Sequence, residues 1–259
     1  MRHHLIQGKR RHFDGWRRDK HDPRDVKLTA LAKALLPSTA SVRSIFAPPI
    51  RDQGELGSCT ANGGVEAAGF VANAETKGGD PMYSRLDLYA ITRKIEGTPL
   101  SEDSGCQVRD VFKAMARYGV AFESEWPYDV AVFDQMPPRT VMKDALQHKA
   151  ISYHRCDGLD AIKTCIVQGF PLIGGFTCFT SLQSDQTAQT GDVPMPAPDE
   201  AQIGGHCIYF DGYDDVAQML SFRNSWGTSW GLTGCGRLPY GYVEQGLADD
   251  FWTIRQIAT

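Results

Sequence analysis

No stretch of the sequence approaches the roughly 18–20 consecutive apolar residues that cross a bilayer, so a helical membrane span is not expected. Met1 to Lys9 contain no apolar segment, so no secretory signal peptide is expected there either. The seven cysteines are scattered, without a CxxC pair, and neither Cys nor His residues gather at ligand spacing. That argues against a zinc site, and no metal or cofactor is expected. An odd cysteine count leaves at least one thiol free. Internal repeats and long low-complexity segments are also missing, which argues against a solenoid or an array.

What remains is a chain of 259 residues, 42% apolar and 22% charged. It can build a core without covalent staples, so a reduced compartment suits it as well as an oxidising one. The net charge of −4 is unevenly spread. Residues 1–35 carry ten Lys and Arg against four Asp, a net of +6, which leaves −10 for the rest. A basic tail on an acidic body can dock on that body, stay solvated, or bind nucleic acid. The third option is disfavoured, because the tail has no recognisable nucleic-acid fold. Its aromatic-basic cluster Phe13-Asp14-Gly15-Trp16-Arg17-Arg18 suits docking into a groove. An Arg2-His3 pair at a free N-terminus can chelate Cu²⁺ or Ni²⁺, read here as incidental.

Small and apolar residues at helical spacing predict a buried helix over 58–76, ending at Gly78-Gly79. Residues 84–95 and 108–118 read as two more helices, stopped by Gly97 and Gly119. A short fourth covers 162–168. After it, runs at 172–176, 207–210, 219–222 and 251–254, bounded by Gly, Asp or Asn, read as strands. Residues 181–202 read as a long polar, Pro-rich loop. Helices first and strands later predict an α+β fold with two lobes.

Three segments carry candidate chemistry. Gly57-Ser58-Cys59 opens the first predicted helix, where unpaired N–H groups and the helix dipole favour an anion and lower a thiol pKa. Gln53, six residues earlier, can supply a side-chain N–H to an oxyanion site. The competing reading is a small cysteine packing a helix end. His206 opens an apolar strand and offers a base near neutrality; a hydrogen-bonded structural histidine is the plainer reading. His3, His4, His12, His21, His148 and His154 lie in polar or tail contexts and are weaker candidates. Asn224 follows an apolar run, and its amide carbonyl can orient an imidazole, with Trp226 and Trp230 shielding that bond. Turn and core roles are the alternatives for that segment.

Together, and in this order, Gln53…Gly57-Ser58-Cys59, Gly205-His206-Cys207 and Asn224-Ser225-Trp226-Gly227-Thr228-Ser229-Trp230-Gly231 resemble the three signatures of the papain-like cysteine peptidases. A separation of 147 residues between Cys59 and His206 is similar to the family's. Weaker similarity runs through Gly105-Cys106, Tyr118-Gly119-Val120 and Trp126-Pro127-Tyr128, so the resemblance covers residues 37–259. It implies a two-lobe papain-like fold. Residues 36–150 would be a mainly helical lobe carrying the nucleophile, and residues 151–259 a β-barrel-like antiparallel lobe carrying His and Asn. It implies a thiol endopeptidase with Cys59 and His206 as an ion pair, Asn224 orienting His206, and Gln53 with the Cys59 N–H holding the oxyanion. The substrate-contacting residues it implies are Gly57, Ser58, Gly105, Gly175, Gly205 and Trp226. Gly175 and Gly205 would border a second subsite roomy enough for a bulky apolar side chain.

Departures from the family pattern matter. Leu56 stands where the family has a disulfide-bonded cysteine, opposite Cys106, which suggests a reduced, bacterial or cytosolic variant. Thr60 replaces an aromatic, and Val108-Arg109 replace a glycine pair, altering the third subsite. The family's prosegment of about 100 residues is reduced to residues 1–35, expected to act as a short latch over the cleft. A peptide or protein substrate, no membrane and a monomer complete the expectation. Isopeptide cleavage, acyl transfer, or a non-enzymatic binding protein on the same scaffold are the alternatives.

Overall fold

The computed structural model describes residues 3–258. The Arg2-His3 chelate lies outside the described residues. The chain begins with a hairpin, β1 (His3–Ile6) and β2 (Lys9–His12), followed after an extended stretch by a short strand β3 (Thr39–Ser41). Helices α1 (Cys59–Thr76), α2 (Arg85–Glu96), α3 (Val108–Tyr118) and α4 (Arg139–Ala145) come next. The remainder is β4 (Ala150–Arg155), α5 (Gly158–Val167), β5 (Leu172–Phe179), α6 (Asp185–Thr190), β6 (Gln202–Asp214), β7 (Met219–Arg223), β8 (Cys235–Pro239), α7 (Tyr240–Glu244) and β9 (Ala248–Ile257).

Helix α1 is made largely of small and apolar residues, and Cys59 to Asn73 are all buried, Asn62 and Glu66 included. Two of its glycines explain how it packs. A Cβ on Gly64 would lie 2.6 Å from Val111 of α3, and one on Gly63 would lie 3.1 Å from Ile173 of β5. Each helix glycine costs about 1 kcal/mol against alanine; close approach of a helix and a strand offsets it. Helix α2 starts at Ser84, whose hydroxyl accepts from Asp87 N at 3.1 Å, and ends at Gly97 in the left-handed region. Helix α3 stops at Gly119.

The later strands form one antiparallel sheet in the order β4-β9-β5-β6-β7-β8, with β3 on β6. Helix α1 packs against β5, β6 and β9. That helix-against-sheet arrangement is the expected α+β, papain-like architecture. The sheet is open, with β4 and β8 at its ends, and not a closed barrel. Other details differ from the sequence reading. Helix α1 ends on Lys77, whose φ of 57° makes it the left-handed cap, before the two glycines. Helix α5 begins earlier than residue 162. The polar stretch 181–202 contains α6, capped by Ser184 onto Thr187 N at 3.1 Å.

Candidate functional site

Cys59 is the first residue of α1, and Ser58 precedes it without a side-chain cap on the helix N–H groups. The loop leading to Cys59 is braced from behind. Tyr128 Oη donates to Gln53 O at 2.8 Å and lies 2.6 Å from Ser58 Oγ, while Asn62 Nδ2 donates to Ser58 O at 3.0 Å. The Ser58 hydroxyl therefore faces away from the cleft. Asp103 accepts from Gly57 N through both oxygens, at 3.0 and 2.9 Å.

The second wall is β6. His206 Nε2 lies 2.8 Å from Asn224 Oδ1. An amide carbonyl only accepts, so Nε2 carries the proton and Nδ1 keeps the lone pair. Nδ1 is buried with no hydrogen-bond partner among the described residues. Cys207 N, one residue on, donates to Cys59 Sγ at 3.4 Å, which places the thiol against the histidine strand. Trp226 stacks on the imidazole, ring centroids 4.6 Å apart, and stands edge-on to Trp230 at 5.4 Å. Asn224 Oδ1 also accepts from Ser225 N at 2.8 Å, and the Ser225 hydroxyl donates to Gln53 Oε1. That last bond fixes the amide of Gln53 with Nε2 toward Leu56 O, at 2.7 Å, and leaves it one further N–H. The structure thus brings Cys59, His206, Asn224 and Gln53 into one connected group.

The N-terminal stretch lies across this group as an extended strand. Gly205 N donates to Phe13 O, and Trp16 N donates to Gly205 O at 3.2 Å. On the opposite wall, Cys106 N donates to Gly15 O at 3.0 Å and Arg17 N to Cys106 O at 3.1 Å. Both pairings are parallel. A Cβ on Gly15 would lie 2.6 Å from Cys59 Sγ, so only a glycine fits over the thiol. Gly105, with φ of 64°, leaves no room for a side chain beneath Asp14 O. Phe13 packs edge-on against Trp226 at 5.6 Å, and the Trp16 ring lies on Gly175 and Gly205. The β1–β2 hairpin is held by Arg11, which pairs with Asp52 and donates from Nη2 to Trp226 O at 2.8 Å. Five of the six expected substrate-contacting residues, Gly57, Gly105, Gly175, Gly205 and Trp226, therefore face the segment. Val108 and Arg109 belong to α3, and Arg109 holds the segment through Asp25 at 2.6 Å.

Cys59 and His206 are both fully buried beneath this segment. Burial pushes the thiol up to about 12 and the imidazole down to about 4. In the covered state both are neutral, and the ion pair implied by the resemblance is not formed. All seven cysteines are free, so Leu56 and Cys106 sit without a disulfide, as expected. Sequence reasoning did not single out Asp19, Asp103 or Asp250. The run Trp126-Pro127-Tyr128 was the only trace of Tyr128.

A model of the papain family cysteine proteases matches residues 36–251 of the chain. The chain belongs to the papain family. An uncharacterized peptidase C1-like protein of Acanthamoeba polyphaga mimivirus is 35% identical over 254 residues, covering 92% of this chain and 81% of that protein. Xylellain, a cysteine protease from Xylella fastidiosa, superposes with a TM-score of 0.86 at 31% identity, covering 98% of this chain and 99% of xylellain. A digestive procathepsin L 3 of Tenebrio molitor larval midgut shares the fold, with a TM-score of 0.66 at 21% identity over 90% of this chain and 75% of that one. The papain-family chain described here is a cysteine peptidase, a hydrolase.

Proposed function

We propose that Cys59 is the nucleophile of this peptidase, with His206 as base and acid, Asn224 as orienting group, and Gln53 with the Cys59 N–H as oxyanion donors. The 2.8 Å bond between His206 Nε2 and Asn224 Oδ1, beside a thiol at a helix N-terminus, carries this reading. It leaves Nδ1 as the basic nitrogen. Once water enters, Nδ1 takes the Cys59 proton, and the sulfur adds its electron pair to the scissile carbonyl carbon. The oxyanion collapses, the C–N bond breaks, and His206 returns the proton to the leaving amine. Water then gives a proton to His206 while its oxygen attacks the thioester. The C–S bond breaks with its electron pair returning to sulfur, the acid leaves, and His206 gives its proton back to Cys59.

Residues 1–35 act, in this reading, as an inhibitory latch across the cleft. Residues 36–150 bring the nucleophile and residues 151–259 bring His206 and Asn224. The latch is not itself a substrate, because its carbonyls are turned to the walls. Phe13 O accepts from Gly205 N, Gly15 O accepts from Cys106 N, and Asp14 O lies over Gly105. None of the three is directed at the oxyanion donors, and attack requires that alignment.

The test uses the full chain with Gly15→Val, whose side chain cannot lie over the thiol. A peptidyl epoxide should add to Cys59 in that variant, located by peptide mass. Adding Cys59→Ala should abolish the adduct and peptide hydrolysis together. Unchanged hydrolysis after Cys59→Ala would sink the assignment.

A further inference from the structure

Trp16 sits in a pocket beside the candidate nucleophile and reports what that pocket is built to hold. Gly175 of β5 and Gly205 of β6 form its walls, where a Cβ would fall 2.0 and 2.8 Å from the indole. Its base is not apolar. Trp16 Nε1 donates to Asp250 Oδ2 at 3.2 Å, and Asp19 N donates to the same oxygen at 2.8 Å. Asp250 is buried, and its other oxygen accepts from Arg155 Nη1 at 2.9 Å. Both donors onto Oδ2 thus come from the N-terminal segment and leave with it.

The charges around the pocket point the same way. Arg155 bonds Asp249 at 2.7 Å and Asp157 at 2.7 Å as well as Asp250. On the body, Arg155 thus answers three carboxylates, and the next guanidinium, Arg109, lies 5.8 Å from the Trp252 ring. The segment brings cations to this corner, together with the carboxylate of Asp19, which lies 3.4 Å from Arg155 Nη1. Lys27 Nζ lies 2.8 Å from Asp157, and Arg18 Nη1 lies 3.5 Å from Asp249 with its guanidinium over the Trp16 ring at 5.0 Å. With the segment gone, an apolar side chain entering the pocket would cover Asp250 Oδ2 and give it no donor. A guanidinium or ammonium, longer than an indole, would reach it and supply both a donor and the charge.

We propose that Asp250 makes this peptidase selective for peptides carrying arginine or lysine at the position whose side chain enters the Trp16 pocket. This rests on Cys59 being the nucleophile, and it replaces the bulky apolar preference that Gly175 and Gly205 alone suggest. Asp250 contacts the substrate side chain and not the reacting atoms, so it is a specificity residue.

The full chain carrying Gly15→Val and Trp16→Ala empties the pocket. Fluorogenic peptide amides that differ only at that position, with Arg, Lys, Trp or Leu, would be compared by kcat/KM. Arg and Lys should exceed Leu by about 10- to 100-fold, the range for a hydrogen bond to a charged group. Trp should fall between. Adding Asp250→Asn should abolish the preference, so that Arg and Lys no longer exceed Leu. Asn suits the site, since residue 250 has a φ of 57° that Asn tolerates. Epoxide labelling of Cys59 checks that the Asp250→Asn protein is folded and competent. A preference for Leu, or an Arg preference that survives Asp250→Asn, overturns the proposal. Loss of Cys59 labelling in the opened chain instead overturns the nucleophile reading, and this one with it.

Discussion

At the scale of single residues, environment decides what Cys59 and His206 are. The same thiol and imidazole that would exchange a proton in an open, wet cleft are held neutral under Gly15 and Phe13, because burial removes the water that would solvate either charge. Gln53 is set differently, since the Ser225 hydroxyl on Oε1 fixes which end of its amide accepts and which donates. Gln53→Ala in the Gly15→Val background should lower kcat by about 10²–10³-fold, the cost of one oxyanion donor, with KM little changed. Steady-state kinetics on a peptide amide checks this, and an effect confined to KM would assign Gln53 to binding alone. Cys59, His206 and Asn224 were legible in the sequence because each stands in a run of residue types that suits its chemistry: Gly-Ser before a helix, Gly ahead of an apolar run within β6, Asn-Ser-Trp after β7. Asp250 was not. An Asp-Asp pair opening an apolar run reads as a solvated turn, and only the pairing of β9 with β5, Gly175 opposite Asp249, brings it to the cleft.

Among the elements, the N-terminal segment is the one whose docking the latch reading makes dependent on pH. Asp19 N and Asp19 Oδ2 tie it to Asp250 and to Trp252 Nε1, the latter at 2.8 Å, with Arg155 at 3.4 Å and Arg109 N at 3.1 Å also facing the carboxyl. Burial, with Asp250 close by, raises Asp19 from 3.8 to about 7 in the docked state. A released segment returns Asp19 to its ordinary value, so docking takes up a proton. Docking is strongest below the ordinary value and weakens as pH rises through about 7, by up to about tenfold per pH unit between the two values. Asp19→Asn mimics the protonated form and should hold the segment equally at all pH. The ratio of Cys59 labelling rates, Asp19→Asn to wild type, cancels the thiol's own titration. It should lie below one at pH 5.5 and fall at least tenfold further by pH 8.5; a flat ratio would remove Asp19 from the latch. The elements themselves were legible where local pattern and tertiary demand agree, as in α3, whose bounds follow from its apolar stripe and Gly119. Strand β4, with its half-exposed Ser152, Tyr153 and His154, shows no alternation, and β8 carries a Gly and a Pro. Both are strands because β9 and β7 offer them edges.

For the molecule as a whole, charge told more than composition. The +6 of residues 1–35 against −10 elsewhere left two readings open, a tail folded on its own body and a solvated one. The contacts are of that kind: Lys9 and Arg11 to Asp52, Arg17 to Glu96, Arg18 to Asp249, Lys27 to Asp157. Charge could not say which groove the tail fills. That follows from shape, in the three glycines at 105, 175 and 205 that admit the strand and the indole, and from the single glycine at 15 that passes over the thiol. The segment thus lies across the site from end to end, the hairpin beside Trp226 and the indole beside Asp250. The direct measurement is the second-order rate of epoxide addition to Cys59 in the full-length chain at pH 7, wild type against Gly15→Val. Removing the cover should raise that rate at least tenfold, with the folded state verified by circular dichroism. Equal rates in the two proteins would show that the segment does not guard the thiol.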